Sequence, residues 1–197
     1  MVVAALTAYG IGSIPFALLL ARFRGTDLRR IGSGNLGAAN VMRASGATAG
    51  VIVAVLDMLK GATAVVIAQR LTDEASAPAL AGLAAVIGHV YPLWLRFRGG
   101  KGVATACGVF AVLTPAAIAP ALGIFVVVVA ATRYVSLGSV LASVALPPIV
   151  YVMGADTPVV VAALSIAALI VFRHRSNLGR LRAGTERRLG TREAVAR

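Results

Sequence analysis

Stretches of apolar residues long enough to cross a lipid bilayer recur along almost the whole chain, at roughly 2–21, 47–69, 78–95, 103–131, 137–153 and 157–172. A spanning helix needs about 20 such residues, because in hydrocarbon each backbone N–H and C=O must be satisfied within its own segment. A soluble domain of 197 residues could not hide this much apolar surface: 59% of residues are hydrophobic and 13% charged, with a mean hydropathy of +0.89. Ordinary soluble domains carry roughly 25% charged residues. The chain reads as an all-α polytopic membrane protein. The first apolar run starts at Met1 without a basic leader, carries Pro15 and has no small-residue cleavage site, so it is read as a retained span rather than a signal peptide.

The fourth run, 29 residues long, has Thr114, Pro115 and Pro120 near its middle, where a turn is cheap. Charge decides whether it crosses once or twice. Of 19 Lys and Arg, 17 lie in four places: 22–46 (Arg22, Arg24, Arg29, Arg30, Arg43), 96–101 (Arg96, Arg98, Lys101), Arg133, and the tail from Arg173. The other connections hold Arg70 with Asp73 and Glu74, the Pro115 region, and Asp156. Two crossings put every basic segment on one face and the acid-bearing connections on the other, as the positive-inside tendency requires. The expected fold therefore has seven transmembrane helices, with the N-terminus outside and the C-terminus cytoplasmic. The two crossings within 103–131 have about 14 residues each, short for a bilayer core. One domain is expected over 1–197, including a short basic cytoplasmic tail, 173–197, suited to lying on anionic lipid.

The formal charge of +12 follows this loop pattern and comes with no zinc-finger spacing or aromatic RNA-binding motif, so no nucleic-acid partner is expected. The single cysteine, Cys107, excludes an internal disulfide and any multi-cysteine metal site.

Chemistry concentrates in the basic connections. RIGSGNLGAANVMR, residues 30–43, combines Gly32, Gly34 and Gly37 with Ser33, Asn35, Asn40 and Arg43. Glycine-rich turns form backbone N–H nests for anions, and arginine adds a planar fixed cation. A merely flexible linker would need neither the two asparagines nor Arg43. GHVYPLWLRFRGGKGVAT, residues 88–105, sets Gly99, Gly100, Lys101 and Gly102 directly before an apolar helix, a suitable place for phosphate. It is no Walker A motif, since Leu95 and Gly102 occupy positions where Gly and Ser or Thr are required. Lys101 also has a simpler reading as a topology anchor, and His89 as a structural histidine. After the last span, His174 and Asn177 share a helix face among arginines. Within the second span Asp57 and Lys60 stand at i and i+3, either as a structural ion pair or in contact with substrate. Arg133 with Ser136 and Ser139 makes a weaker polar patch.

Carboxylates are scarce on this face: Asp27, with Glu186 and Glu193 in the tail. A two-carboxylate hydrolase or a caged metal is poorly supported, and no GxSxG, HExxH or His-x4-Asp motif is present. The residues alone describe a phosphate-binding membrane protein without fixing its reaction.

Taken together, GSGNLGAANVMR (32–43), DMLKG (57–61), GHVYPLWLRFRGGKGVAT (88–105) and RHRSNLGRL (173–181) resemble the bacterial PlsY family, in order and over essentially the full chain. That family comprises membrane glycerol-3-phosphate acyltransferases that use acyl-phosphate, with seven spans and an active site at the cytoplasmic face. The resemblance implies acyl transfer to the 1-hydroxyl of sn-glycerol 3-phosphate in the bacterial inner membrane, giving lysophosphatidic acid and inorganic phosphate. Ser33, Arg43, Lys101, His174 and Asn177 would then be catalytic. Gly32, Gly34, Asn35, Gly37, Asn40, Gly99, Gly100 and Gly102 would bind substrate, while Asp57, Lys60, His89 and Arg133 are candidates for a supporting role, with the alternatives above still open. No cofactor or metal is implied; the partners are the two substrates and membrane lipid, and the oligomeric state stays open, a monomer being compatible. This chain departs from the family pattern at Ala39, where Thr is usual, and at Leu36, where Pro is common.

Two other classes share some of these features. A small transporter or channel for phosphate esters would have similar spans, glycines and cations, but usually a site near the midplane, where only Asp57 and Lys60 lie. A membrane scaffold holding anionic lipid with its basic tail leaves Asn35, Asn40 and Asn177 unexplained.

Overall fold

The computed structural model describes residues 1–31 and 34–190, and every regular element among them is helical. In chain order these are α1 (Val2–Gly12), α2 (Phe16–Phe23), α3 (Ala38–Ser45), α4 (Ala47–Leu71), α5 (Ala77–Val90), a 3-10 turn (Leu93–Leu95), α6 (Val103–Leu113), α7 (Pro115–Thr132), α8 (Val135–Val152), α9 (Thr157–Arg173) and α10 (Arg175–Arg182). Five segments are long and apolar enough to span a membrane: Val2–Phe23, Ala47–Leu71, Ala77–Leu95, Pro115–Thr132 and Val135–Val152. A sixth forms if α9 and α10, bent by 54° at their junction, are counted together. Helix α6, with 11 residues, reaches only about 16 Å.

Both internal breaks have a proline at their root. Pro115 occupies the first turn of α7, where its missing N–H costs nothing, and Thr114 leaves helical geometry before it. Pro120, Pro147 and Pro148 by contrast lie inside helices. Between α1 and α2, Pro15 disfavours the α conformation at Ile14 and releases the carbonyls of Ser13 and Ile14 from the helix ladder. Each finds a side-chain donor: Trp94 Nε1 to Ser13 O at 2.9 Å, and Lys60 Nζ to Ile14 O at 2.9 Å.

Helices cross closely where small residues meet. A Cβ added at Gly108 would lie 1.8 Å from the Met58 carbonyl oxygen, and one at Gly61 would lie 2.2 Å from that of Thr105, so α4 and α6 touch backbone to backbone. Valines 65, 86, 90, 109 and 150 pack with Phe110, Ile166 and Ile170 in the largest core cluster. Large apolar side chains such as Leu59, Val127, Val144 and Leu164 point outward, as lipid-facing surface requires.

The helix directions place the loops. Ser76 Oγ contacts Met1 Sδ at one end of α1 and α5, while Ser13 and Trp94 meet at the other, so α1 and α5 run the same way. At the end where α5 finishes, Arg173 Nη2 donates to Gly100 O at 3.4 Å and Ser136 donates to Glu186. Helix α6 leaves this end after Gly102, and α7 returns to it at Arg133. The four basic segments thus share one end of the bundle, and the 103–131 run doubles back.

Candidate active site

Three connections and the tail converge at that end. Before α3, Gly34 takes φ +66° where its Cβ would press on Arg29 O at 3.1 Å. Asn40 is buried and donates from Nδ2 to Leu28 O and Ile31 O, each at 3.1 Å, which staples the glycine loop to the start of α3. Asn35, Gly37 and Arg43 line the same cavity as Asn40. Gly32 and Ser33 lie outside the described residues.

The Gly99–Gly102 loop folds back on the end of α5. Gly99 N donates to Val90 O at 3.0 Å and Gly100 N to His89 O at 3.1 Å. Gly100 sits flat on the His89 imidazole: a Cβ there would lie 2.1 Å from Nε2. Gly102 adopts φ +90°, turning the chain into α6 directly after Lys101.

Beneath this loop, Asp57 Oδ1 lies 2.7 Å from Lys60 Nζ and 3.5 Å from His89 Nδ1, with Asp57 and Lys60 each 3% exposed. Asp57 and His89 line the cavity, whereas Lys60 turns away toward Ile14. This trio holds the α1–α2 break, α4 and the glycine loop together. The ion pair thus ties Lys60 to the first span while Asp57 stays at the cavity wall.

The tail closes the chamber. Arg173 stacks over Tyr91, 5.4 Å from the ring centroid. His174 is buried with Nδ1 2.8 Å from Ile170 O; a carbonyl only accepts, so Nδ1 carries the proton and Nε2 the lone pair. Lys101 Nζ donates to Asn177 Oδ1, and Asn177 Nδ2 donates to Glu186 Oε1 at 2.6 Å. Glu186 also accepts from Ser136 Oγ and from Arg180 Nε, each at 2.7 Å. Rather than lying flat as a surface helix, residues 173–190 pack back over the bundle. Leu189 N donates to Arg133 O at 2.7 Å, and Arg133 returns the bond through Nη2 to Leu189 O at 2.7 Å. Arg133 therefore fastens the tail and does not line the chamber.

Electrostatics follow from burial and crowding. Burial, reinforced by Arg180, Arg43 and Arg173, lowers the Lys101 ammonium to a pKa of about 8 against the opposing pull of Glu186. Burial and the nearby Lys101 charge lower His174 to about 4. Burial alone would raise Glu186, but hydrogen bonds from Asn177, Ser136 and Arg180 hold its carboxyl below the usual range.

The cavity has a volume of about 530 Å³ and two unlike ends. Arg43, Lys101, His174, Asn177 and Glu186 form the polar end; Met58, Ile118, Leu122, Phe125, Leu146 and Ile166 line the remainder. Such a chamber suits an anionic head joined to a long apolar tail. Among the described residues, no group of three His, Cys, Asp or Glu is placed to hold a metal.

Glu186 is the residue that loop motifs alone did not single out. Its only sequence signal is that it is an acid within a tail carrying eight arginines, where a buried carboxylate would find partners.

Fold and site define a helical integral membrane protein with a cation-lined chamber at one end of the bundle, continuous with an apolar cleft. The family model for glycerol-3-phosphate acyltransferase matches residues 2–184. The chain belongs to this family, the PlsY family of glycerol-3-phosphate acyltransferases. It is 52% identical over 181 residues to the glycerol-3-phosphate acyltransferase of Geobacter metallireducens, covering 92% of this chain and 93% of that one. Identity to the Aquifex aeolicus protein of the same name is 42% over 182 residues, covering 92% and 95%. The fold is similar to the crystal structure of PlsY, an integral membrane glycerol 3-phosphate acyltransferase, in its glycerol 3-phosphate form, with a TM-score of 0.92, 41% identity and 96% of each chain covered. Against the lysophosphatidic acid form of PlsY the TM-score is 0.90, with 40% identity and coverage of 96% and 95%.

Proposed function

We propose that this protein transfers a fatty acyl group from acyl-phosphate to the 1-hydroxyl of sn-glycerol 3-phosphate, releasing lysophosphatidic acid and inorganic phosphate. The observation that carries this reading is the single chamber in which Arg43 and Lys101 share a wall with an apolar cleft. One end accommodates phosphate and the other an acyl chain.

Acyl-phosphate is a mixed anhydride and needs no further activation. The glycerol C1 oxygen attacks the acyl carbonyl carbon, the bond from that carbon to the phosphate oxygen breaks, and phosphate departs with the electron pair. Alignment of two anionic substrates by Lys101, Arg43, Ser33 and the glycine-loop N–H groups supplies most of the acceleration. Asn35, Asn40, Gly32, Gly34 and Gly37 hold the first loop to the polar substrate, and Gly99, Gly100 and Gly102 bring Lys101 to it. His174 and Asn177 close over the glycerol phosphate. The hydroxyl proton goes to a substrate phosphate oxygen or to His174 Nε2; the low pKa of His174, about 4, favours the more basic phosphate. Transfer is direct, with no acyl-enzyme, and rapid-quench labelling that trapped acyl-protein would contradict it.

The reading includes seven crossings, an outside N-terminus and a chamber open to the cytoplasm, in the bacterial inner membrane. One-sided cations support this orientation. A transporter drew its support from Asp57 and Lys60, and Lys60 is engaged with the Ile14 carbonyl.

The test is to incubate purified protein with glycerol 3-phosphate and palmitoyl-phosphate and follow lysophosphatidic acid by mass spectrometry, with Arg43→Ala and acyl-CoA reactions in parallel. Product from acyl-phosphate alone, lost in the variant, is expected. Folded protein that makes no product from either donor would overturn acyl transfer and bring transport forward.

A further inference from the structure

Glu186 lies beyond residue 184, where the family match ends, yet its carboxylate joins three side chains from two helices. It reaches Ser136 on α8, Asn177 and Arg180 on α10, all within 2.6–2.7 Å, and it is buried. A carboxylate only accepts hydrogen bonds, so it dictates which way the Asn177 amide faces. With Nδ2 drawn to Glu186, Oδ1 is left facing Lys101, a group that only donates. A flipped amide would set N–H groups against the ammonium and a carbonyl against the carboxylate.

We infer that Glu186 is a positioning residue for acyl transfer: it locks the Asn177 amide so that Lys101 is held at the phosphate end of the chamber. The charged and titratable groups around Lys101 are Arg43 from α3, Asp57 from α4, His89 from α5, Arg173 and His174 at the end of α9, and Arg180 from α10. Most are cations or neutral. The nearby negative charge of Glu186 opposes their effect, and the bond to Asn177 keeps Lys101 where that charge acts on it. Serine 136 and Arg180 hold the carboxylate in place, so the tail needs to be closed for the arrangement to form.

The activity readouts rest on the proposed acyl transfer; the titration does not. The chain has two lysines, Lys60 and Lys101, and Lys60 is sealed in the bundle. Trace acetylation of the intact protein across pH roughly 6 to 10, read by peptide mass spectrometry, therefore reports Lys101 protonation. In Glu186→Gln the Lys101 midpoint falls, and the alkaline limb of kcat/KM moves to lower pH with it. KM for glycerol 3-phosphate rises about tenfold, as loss of a charge-assisted hydrogen bond predicts. Glu186→Asp keeps the charge and restores the midpoint, but its shorter side chain leaves KM raised.

A thermal melt establishes that each variant is folded. An unmoved Lys101 midpoint in folded Glu186→Gln overturns the inference. Should Glu186→Gln fail to fold, an unchanged KM in Glu186→Asp overturns it equally. A Lys101 midpoint that falls in folded Glu186→Gln, with no lysophosphatidic acid made by the wild-type protein, leaves the hold of Glu186 on Lys101 standing and removes the acyl-transfer reading.

Discussion

The Lys60 ammonium lies 2.9 Å from the Ile14 carbonyl oxygen, capping a break in the first span with a cation from the second. The same ammonium pairs with Asp57 at 2.7 Å, and Asp57 reaches His89, against whose ring Gly100 rests. A buried pair repays its desolvation only while both partners remain. Lys60→Met leaves Asp57 without its cation and the Ile14 carbonyl without its side-chain donor. The expected loss is about 3–5 kcal/mol of stability. Thermal unfolding in detergent checks it, and a variant as stable as the parent would show that the trio is not a structural anchor.

Lys101 has a pKa of about 8 in the free protein, and the proposed phosphate-binding role calls for its charged form. Below that value the ammonium is protonated, and above it the cation is lost. The value of kcat/KM should therefore hold steady below about pH 8 and fall toward tenfold per unit above it. Lys101→Ala should reduce acyl transfer by a factor of about 100 or more at any pH. Initial rates at low glycerol 3-phosphate across pH measure both effects; an alkaline limb retained in residual Lys101→Ala activity would assign it to another group.

His174 is buried and neutral, with a folded pKa of about 4 against 6.5 for the free side chain. Its folded value is depressed, so the unfolded chain binds the proton more readily. Stability is full above pH 6.5 and declines as pH falls toward 4. The difference corresponds to roughly 3 kcal/mol by the bottom of that window. Chemical unfolding between these limits should show the slope in wild-type protein and a flatter one in His174→Gln.

The apolar helices were legible in the sequence because lipid imposes length and apolarity on a crossing, and the ambiguous run carried Thr114 and Pro115 where the helix breaks. Among the described residues five segments, or six with α9 and α10 taken together, have the length of a span, and the 11-residue α6 does not. The turns at Gly34 and Gly102 and the close approach at Gly100 were legible because a positive φ and a near neighbour both demand glycine. The tail fold was not: nothing local in TERRLG tells a reader that Glu186 lies under Asn177 and Ser136, since those partners stand 9 and 50 positions away. The role of Lys60 was hidden for the same reason. An i,i+3 ion pair can be read from spacing, but the Ile14 carbonyl that Lys60 reaches is turned out of the helix ladder at Pro15 in another span.

Glycine at the α4–α6 crossing gives a further packing test. A methyl at Gly108 meets Met58 O at 1.8 Å, whereas one at Gly123 meets nothing within 4 Å. Backbone cannot move aside as a flexible side chain can, so Gly108→Ala should cost about 3 kcal/mol or more, by forcing α6 away from α4. Gly123→Ala should be neutral or slightly stabilising, because alanine is the better helix former. Unfolding midpoints of the two variants, measured side by side, check this.

Sidedness is testable because the basic connections and the turn at Thr114 stand at opposite ends of α6. Replacing Cys107 with Ser gives a thiol-free background, since the chain has one cysteine. Single cysteines at Thr114, Gly154 and Arg98 then report on the two faces. With seven crossings and the N-terminus outside, a membrane-impermeant maleimide added to intact cells labels positions 114 and 154 but reaches position 98 only after permeabilisation. If α6 instead dips into the bilayer without crossing, position 114 stays unlabelled from outside while position 154 still reacts. In that case Arg133 remains cytoplasmic only if α7 also fails to cross. The pair of labels at 114 and 154 therefore distinguishes two short crossings from a re-entrant α6–α7 hairpin, which charge placement alone leaves equivalent because both return Arg133 to the same face.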